Sequence, residues 1–583
     1  MYKKIVKSIE SYQIPLLIFF ISLFIFLSFA GTRMLFSDEG IIVSQFYNFI
    51  HGSLDLQTAK VNVESGIYIT VENHLYGKFS YSLLILSLPV YFVLRNIDYL
   101  YGAHLFLLQI WALSGGISVY LLAKTWKIKN AASGGFVSYI ILILINLRSF
   151  DPIYFPKWGE IISIEFTNIL ISSFLVLMVY FLFKNLFDNK IAIFASLFVI
   201  FATPISFYSI TLKHHSLALL LTVLAFYFFY KYQKKKENKF IYSAYLLAGL
   251  CIWTRIAEGA ALLLSLLIID ILFFRRSIKH IALILLIILV SLIPFFTFNQ
   301  LILGSPFSII EAHPLSDTPM KMQVEKNMIT LNESAFKARQ IELLNNLGFI
   351  WNPEIRAGFL DIMSDITIRK LGNTFGLLLI SPFLITAFAF VIDRIKKKIR
   401  LNVTDKLLGL YAIIFVLLHK NYILLIITDT PIVLEYRYLL IMYIVLLYFA
   451  LRIDKIRDLI ENNFKKTVRL YAAAVIILIL YFISIYPPPF MNIYYSLALI
   501  TSIILLISLS MSLLIKNNKN NKSFTDLLDK ITLFLIALSL GQASIMLIFY
   551  YWVVTIIYIS PSQNYTILPI LGNILKWMYQ VLL

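Results

Sequence analysis

The 583-residue chain is 60% hydrophobic and only 14% charged, against about 45–50% apolar and about 25% charged in soluble domains. No soluble core absorbs that much apolar surface, so the composition excludes an ordinary soluble enzyme and predicts an all-α, polytopic transmembrane helical bundle. The formal charge of +19 would suit nucleic acid, but the basic residues sit in short tracts between apolar runs, as in cytoplasmic membrane loops, and nucleic acid is not expected as a partner.

In chain order, Lys3, Lys4 and Lys7 precede an apolar run from Ile14 to about Ala30, long enough to span and without a convincing cleavage site. It reads as an uncleaved first helix with a cytoplasmic amino terminus, so the chain after Gly31 starts outside. Basic tracts then mark cytoplasmic turns: Lys124 to Lys129, Lys184 to Lys190, Lys231 to Lys239, Arg275 to Lys279, Arg394 to Arg400, Arg452 to Arg469 and Lys516 to Lys522. Spans are predicted to begin near residues 14, 102, 133, 163, 191, 214, 240, 257, 280, 372, 406, 433, 468, 491 and 531, about thirteen to fifteen crossings in all. The apolar segment Tyr81 to Leu94 is the exception. If it crossed, every later basic tract would face outward, so its short length and Pro89 are read as a flat outer-face or re-entrant segment.

Two connections are long, Thr32 to about Tyr101 and about Leu303 to Leu371, the second an external lobe with four prolines. The expected organisation is a transmembrane module over residues 1–310, a lobe over 303–371 and further transmembrane helices over 372–583. The KNNKNNK tract reads as a solvated loop. The single cysteine, Cys251, lies in an apolar run and excludes a disulfide framework and any Cys-based metal site.

Chemistry is expected at the outer mouth. Asp38 and Glu39 stand just beyond the first span, and the apolar spacing of Ile42, Phe46 and Phe49 predicts a helix that Ser37 or Asp38 would cap. A capping carboxylate can also be a catalytic base. Lys78, in the polar-aromatic stretch that begins at Glu72, reads as a lysine snorkelling to lipid phosphate or pairing a bound anion. Glu160, Glu165, Lys213, His214, His215, Arg255, Glu258, Glu435 and Arg437 fall on the same side. Each alone suits an interfacial anchor; together they can hold an anionic headgroup and deprotonate a hydroxyl. Adjacent histidines on a helix point about 100° apart, which disfavours a metal on His214 and His215, although Asp38 or Glu39 could hold a divalent ion through a lipid phosphate. No P-loop, dinucleotide fingerprint or nucleophile elbow occurs, so ATP-driven chemistry is not expected.

The Asp-Glu pair opening the first outer loop, the Tyr76-Gly-Lys-Phe79 stretch and the flat segment after it resemble the membrane glycosyltransferases of the GT-C fold. Within that class the chain is similar to the protein O-mannosyltransferase and lipid A aminoarabinose transferase group (glycosyltransferase family 39-like). The resemblance continues at Thr203 to Tyr208, Ala248 to Arg255 and Phe298 to Phe307, and weakly at Tyr436 to Leu439, covering roughly the first 310 residues. It implies transfer of a sugar from a polyprenyl- or dolichyl-phosphate carrier to a hydroxyl of a protein, lipid or glycan acceptor, with inversion, at the outer face of a plasma membrane. Carried over by position, Asp38 is the base or acceptor-orienting carboxylate with Glu39 beside it. Lys78 and Arg255 would meet donor phosphate, with Lys213, His214 and Arg437 assisting and Glu72, Glu160 and Glu165 in support. Two departures stand out. Many relatives have an acidic residue where this chain has Lys213-His214-His215, and the aminoarabinose transferases have Glu where Gly77 stands. A carrier or flippase without chemistry is the rival reading; it would place ionisable groups nearer the bilayer midplane.

Overall fold

The structure is a computed structural model that describes residues 2–310, 323–329 and 378–573, apart from 33, 35–37, 57, 62–67, 149, 275, 379, 420–438, 485–489, 516–521 and 559–565. It is a helical membrane bundle. Up to Leu303 the helices are α1 (Tyr2–Ser28), α2 (Glu39–Ile50), α3 (Ser82–Leu100), α4 (Ala103–Thr125), α5 (Ala131–Leu147), α6 (Phe155–Leu186), α7 (Asn189–Phe201), α8 (Ile205–Tyr208), α9 (His215–Lys235), α10 (Asn238–Thr254), α11 (Ile256–Phe273), α12 (Ile278–Ser291) and α13 (Ile293–Leu303). Seven helices among the described residues are long and apolar enough to cross a membrane, or eight if the pair α12 and α13, bent by 42°, is one span. The thirteen to fifteen crossings expected from sequence are a count over the whole chain, including segments outside the described residues. Several helices at expected positions, such as α5 and α7, have only 10–17 apolar residues.

Helix α6 is the axis of the amino-terminal half, packed on α1, α3, α7 and α9. Its 32 residues extend about 48 Å at 1.5 Å per residue, longer than the roughly 30 Å hydrocarbon core. Its first turns therefore have length to spare at the end of the bundle that carries the long loops. Pro156 sits in the first turn, where its missing N–H costs no helical bond. At the opposite end Asp188 accepts from the Ile191 N–H and caps α7. Helices α1 and α4 run antiparallel: Gln13 reaches the Leu121 carbonyl near one end and Trp111 donates to Ser28 near the other.

Helix α3 is longer than the sequence suggested. It runs on to Leu100, and its 19 residues meet the length for a crossing, so the argument from shortness fails. Its contacts nevertheless keep both ends at one end of the bundle. Ser80, just before it, donates to the carbonyl of Trp253 at the close of α10 (2.7 Å). Beyond its other end, the Asp98 side chain accepts from the N–H of Ala103, the first residue of α4 (3.0 Å). A crossing helix would join opposite ends of its neighbours.

The long connection between α1 and α3 holds α2 and three short strands, β1 (Thr58–Val61), β2 (Tyr68–Val71) and β3 (His74–Gly77). β2 and β3 form an antiparallel hairpin, with Glu72 and Asn73 at its tip in positive-φ conformations. β1 pairs in parallel with β4 (Gln323–Ile329), so the second long connection is tied to the first. The rest of the predicted 303–371 lobe beyond Ile310 lies outside the described residues.

Candidate functional site

Asp38 occupies the N-cap position of α2 but does not cap it: its backbone is in the α region and its side chain makes no cap hydrogen bond. The carboxylate instead accepts a hydrogen bond from the Lys213 ammonium at 2.5 Å, with side-chain exposures of 11% and 3%. Turning the carboxylate to cap the helix would leave the buried Lys213 charge unpaired, which is costly. Ser37, the other predicted cap, lies outside the described residues.

Glu39 is fully buried and takes the Leu212 N–H on Oε1 at 2.9 Å. It ties α2 to the turn that carries Lys213, which is a structural task. That turn is fixed from below by Asn168 of α6, whose amide donates to the carbonyls of Tyr208 and Thr211 (3.0 and 2.9 Å). Glu165, also expected at the mouth, receives the Gly31 N–H on both oxygens (3.2 and 3.0 Å), pinning the turn that leads to Asp38. Glu160 pairs instead with the buried Lys60 at 3.7 Å. Glu72, at the exposed hairpin tip, takes no place among these groups.

Lys213 lies over the Phe79 ring at 5.8 Å, and the His214 ring approaches the same phenyl at 6.2 Å. His214 is the residue before α9; burial first, then the nearby Arg255 and Lys213 charges, hold its imidazole well below the usual histidine value. It is therefore neutral at physiological pH. Because His214 lies outside the helix, the two histidine rings are not splayed as helical geometry implied but stack at 6.0 Å and 18°. His215 in turn faces Arg255 at 3.4 Å. Arg255 sits in extended backbone at the break between α10 and α11 and ion-pairs with Glu258. Buried His419 stands 3.9 Å from Glu258. Among the described residues no three His, Cys, Asp or Glu side chains converge to hold a metal.

Lys78 lines a small cleft with Ser80, Tyr81, Trp253, Phe298 and Asn299. Tyr81 and Trp253 both stack on Phe298, at 4.8 and 5.9 Å. The backbone that presents Lys78 is held by Gln45 of α2, which donates to the carbonyls of Gly77 and Phe79 (3.3 and 3.1 Å). A Cβ at Gly77 would fall 2.1 Å from the Gln45 side chain. Any side chain at Gly77 would therefore require Gln45 to move.

Asp38 meets Lys213, and Lys213 and His214 both meet the Phe79 ring; Arg255 joins through His215, while Lys78, next to Phe79 in the chain, lines the neighbouring cleft. Arg437 and Glu435 lie outside the described residues. Sequence reasoning missed Gln45 and Lys60, neither of which stands in a charged or polar run; only a buried Lys on a short strand betrays the second.

Residues 159–298 match the family model for dolichyl-phosphate-mannose-protein mannosyltransferases. The stretch runs from the first turns of α6 into α13 and includes Lys213, His214 and Arg255, but not Asp38 or Lys78. No curated protein and no solved structure matches the chain. The match carries a multi-pass GT-C membrane architecture and, in general terms, glycosyl transfer dependent on a polyprenyl-phosphate-linked sugar.

Proposed function

We propose that the chain transfers a sugar from a polyprenyl- or dolichyl-phosphate donor to an acceptor hydroxyl at the outer face of the membrane, with inversion. The observation that carries this reading is the meeting of one carboxylate, Asp38, with several basic groups and an aromatic cleft at the bundle end remote from the basic tracts. Helices α4, α6 and α9 all end in lysine at the other end, and the positive-inside bias assigns that end to the cytoplasm.

In this reading Asp38 takes the proton of the acceptor hydroxyl as its oxygen bonds to the anomeric carbon. The bond from that carbon to the phosphate oxygen breaks on the opposite side, and the electron pair leaves with the polyprenyl phosphate. Lys78 and Arg255 stabilise the leaving charge, which they do strongly in a dry, preorganised site. Lys213 neutralises Asp38 in the structure and, with His214, stands next to the same phenyl ring as the Lys78 backbone. Incoming donor phosphate can draw the Lys213 ammonium away and leave the carboxylate to the acceptor. Asp38 would be the residue to hold a divalent ion, which would supply charge stabilisation to the donor phosphate.

The test is transfer by the reconstituted protein from a panel of polyprenyl-phosphate-linked sugars and, separately, nucleotide sugars, with the anomeric configuration of the product determined. Transfer from the lipid-linked donors alone, with inversion, is expected. Transfer directly from nucleotide sugars, or movement of the lipid-linked sugar across the bilayer without transfer, would overturn it. Orientation is read with a Glu72→Cys variant: Cys251 is buried, so a membrane-impermeant maleimide should label only the hairpin tip in intact cells.

A further inference from the structure

The turn after α1, seven residues before Asp38, is held by a segment more than 500 residues further along the chain. Residues 566–573 lie against the ends of α1, α4 and α5. Thr566 forms an antiparallel bridge with Gly31, and the Ile567 N–H donates to the Ala30 carbonyl at 3.0 Å. Further on, the Ile570 N–H donates to the Asn146 side chain of α5 at 3.2 Å. Ile567 and Leu568 are 1% and 4% exposed, so the segment is packed into the bundle rather than laid on it.

One side chain joins this segment to the catalytic half. His104, in the first turn of α4 and 3% exposed, accepts the Ile153 N–H on Nδ1 at 3.3 Å and contacts the Ile567 carbonyl through Nε2 at 2.9 Å. Because Nδ1 accepts, Nε2 carries the hydrogen and donates. The Ile153 backbone leads directly into α6, whose Glu165 takes the Gly31 N–H from the other side. The turn after α1 is thus gripped between α6 and the 566–573 segment, seven residues before Asp38.

We infer that residues 566–573 act as a clamp on the turn after α1 and through it position Asp38, with His104 as the link that registers the clamp on the catalytic half. Neither His104 nor the segment reaches the reacting atoms; both are positioning elements. A segment docked only for stability would not need to bond both the turn after α1 and, through the His104 imidazole, the approach to α6. The inference rests on the role proposed for Asp38.

His104→Gln and His104→Leu separate positioning from packing. Glutamine keeps one acceptor and one donor, whereas leucine of similar bulk keeps neither. His104→Leu is expected to lower kcat by about 10- to 100-fold, the order of loss for an ångström-scale misplacement of a catalytic group, with donor KM changed less than about twofold. His104→Gln should recover most of the loss. Asn146→Leu, which frees the far end of the segment, should lower kcat in the same direction and supplies the reading should His104→Leu fail to fold. Full kcat in both leucine variants, or a loss confined to KM, overturns the clamp, as does equal loss in His104→Gln and His104→Leu. Parallel measurement of Asp38→Asn keeps the two readings apart: an active Asp38→Asn removes the catalytic assignment, whereas an inactive Asp38→Asn beside fully active leucine variants removes the clamp alone.

Discussion

The two ends of the bundle use charge differently. At the end with the basic tracts, ion pairs fasten helix ends to an adjoining loop or to another helix: Arg276 with Asp270, Arg452 with Asp405, and Lys455 with Asp529. Asn402 and Asp405 also form a reciprocal capping box on the helix Val403–Leu418. At the other end, Asp38 meets Lys213 and Glu39 meets Leu212 across 175 and 173 residues of chain, and the surroundings are histidine and stacked aromatic rings. The first arrangement suits holding helices together. The second places opposite charges and a neutral imidazole beside a cleft, where an anionic lipid headgroup can exchange with them.

Substitutions can break this contrast. Outside Asp38 itself, the largest loss of activity is expected at the site end: Arg255→Met should lower transfer by roughly 10²- to 10³-fold, the usual consequence of removing a donor that stabilises developing charge, while the chain still folds. An Arg255→Met enzyme of full activity would remove Arg255 from the site. The opposite end should show the reverse. Asp405 accepts from the Tyr448 hydroxyl, Arg452 and the Asn402 N–H, so Asp405→Ala should cost about 3 kcal/mol of stability in thermal unfolding while leaving the kcat of the remaining folded enzyme unchanged.

A smaller effect sharpens the contrast at Gly77. Gly77→Ala pushes against Gln45 and should cost about 1–3 kcal/mol as overpacking, and it should raise donor KM because Gln45 holds the backbone of Lys78. A shortened partner, Gln45→Ala in the Gly77→Ala background, should relieve the clash without restoring KM, since the two hydrogen bonds that fix residues 77–79 are then gone.

The smallest effects are in pH dependence, and their signs are opposite at the two ends. His214 is held well below its ordinary value by burial, so the unfolded chain takes up that proton first. Stability from the site end should fall as pH drops below about 6.5, and His214→Gln should flatten that limb of a denaturation series. Glu461, at the basic end, is raised to about 7 by burial and by its hydrogen bond with Asp188, so the folded state holds the extra proton. That pair should instead lose stability as pH rises from about 4.5 towards 7, and Glu461→Gln should abolish the dependence.

The bundle was legible in the sequence because bilayer burial imposes composition over long stretches, and the basic tracts are local runs that mark helix ends. Asp38 and Lys78 were legible through their position in the first long loop and the resemblance it carries. What local pattern could not supply is pairing at a distance. Nothing around Asp38 announces that Lys213 will neutralise it, or that Gln45 will crowd a side chain at Gly77. The cap expected from Asp38 failed for the same reason: a local N-cap preference of about 1 kcal/mol yields to an ion pair with Lys213, 175 residues along the chain. Local pattern also does not show how an apolar run is shaped, since one span can be bent, as α12 and α13 are by 42°.

Single-turnover transfer with the purified Asp38→Asn protein tests the account most directly, run at saturating polyprenyl-phosphate-linked sugar with donor binding measured on the same sample. The account predicts donor binding within a few-fold of wild type and a chemical step slowed by about 10²- to 10⁴-fold, the contribution of a positioned general base. Wild-type transfer by Asp38→Asn would contradict it.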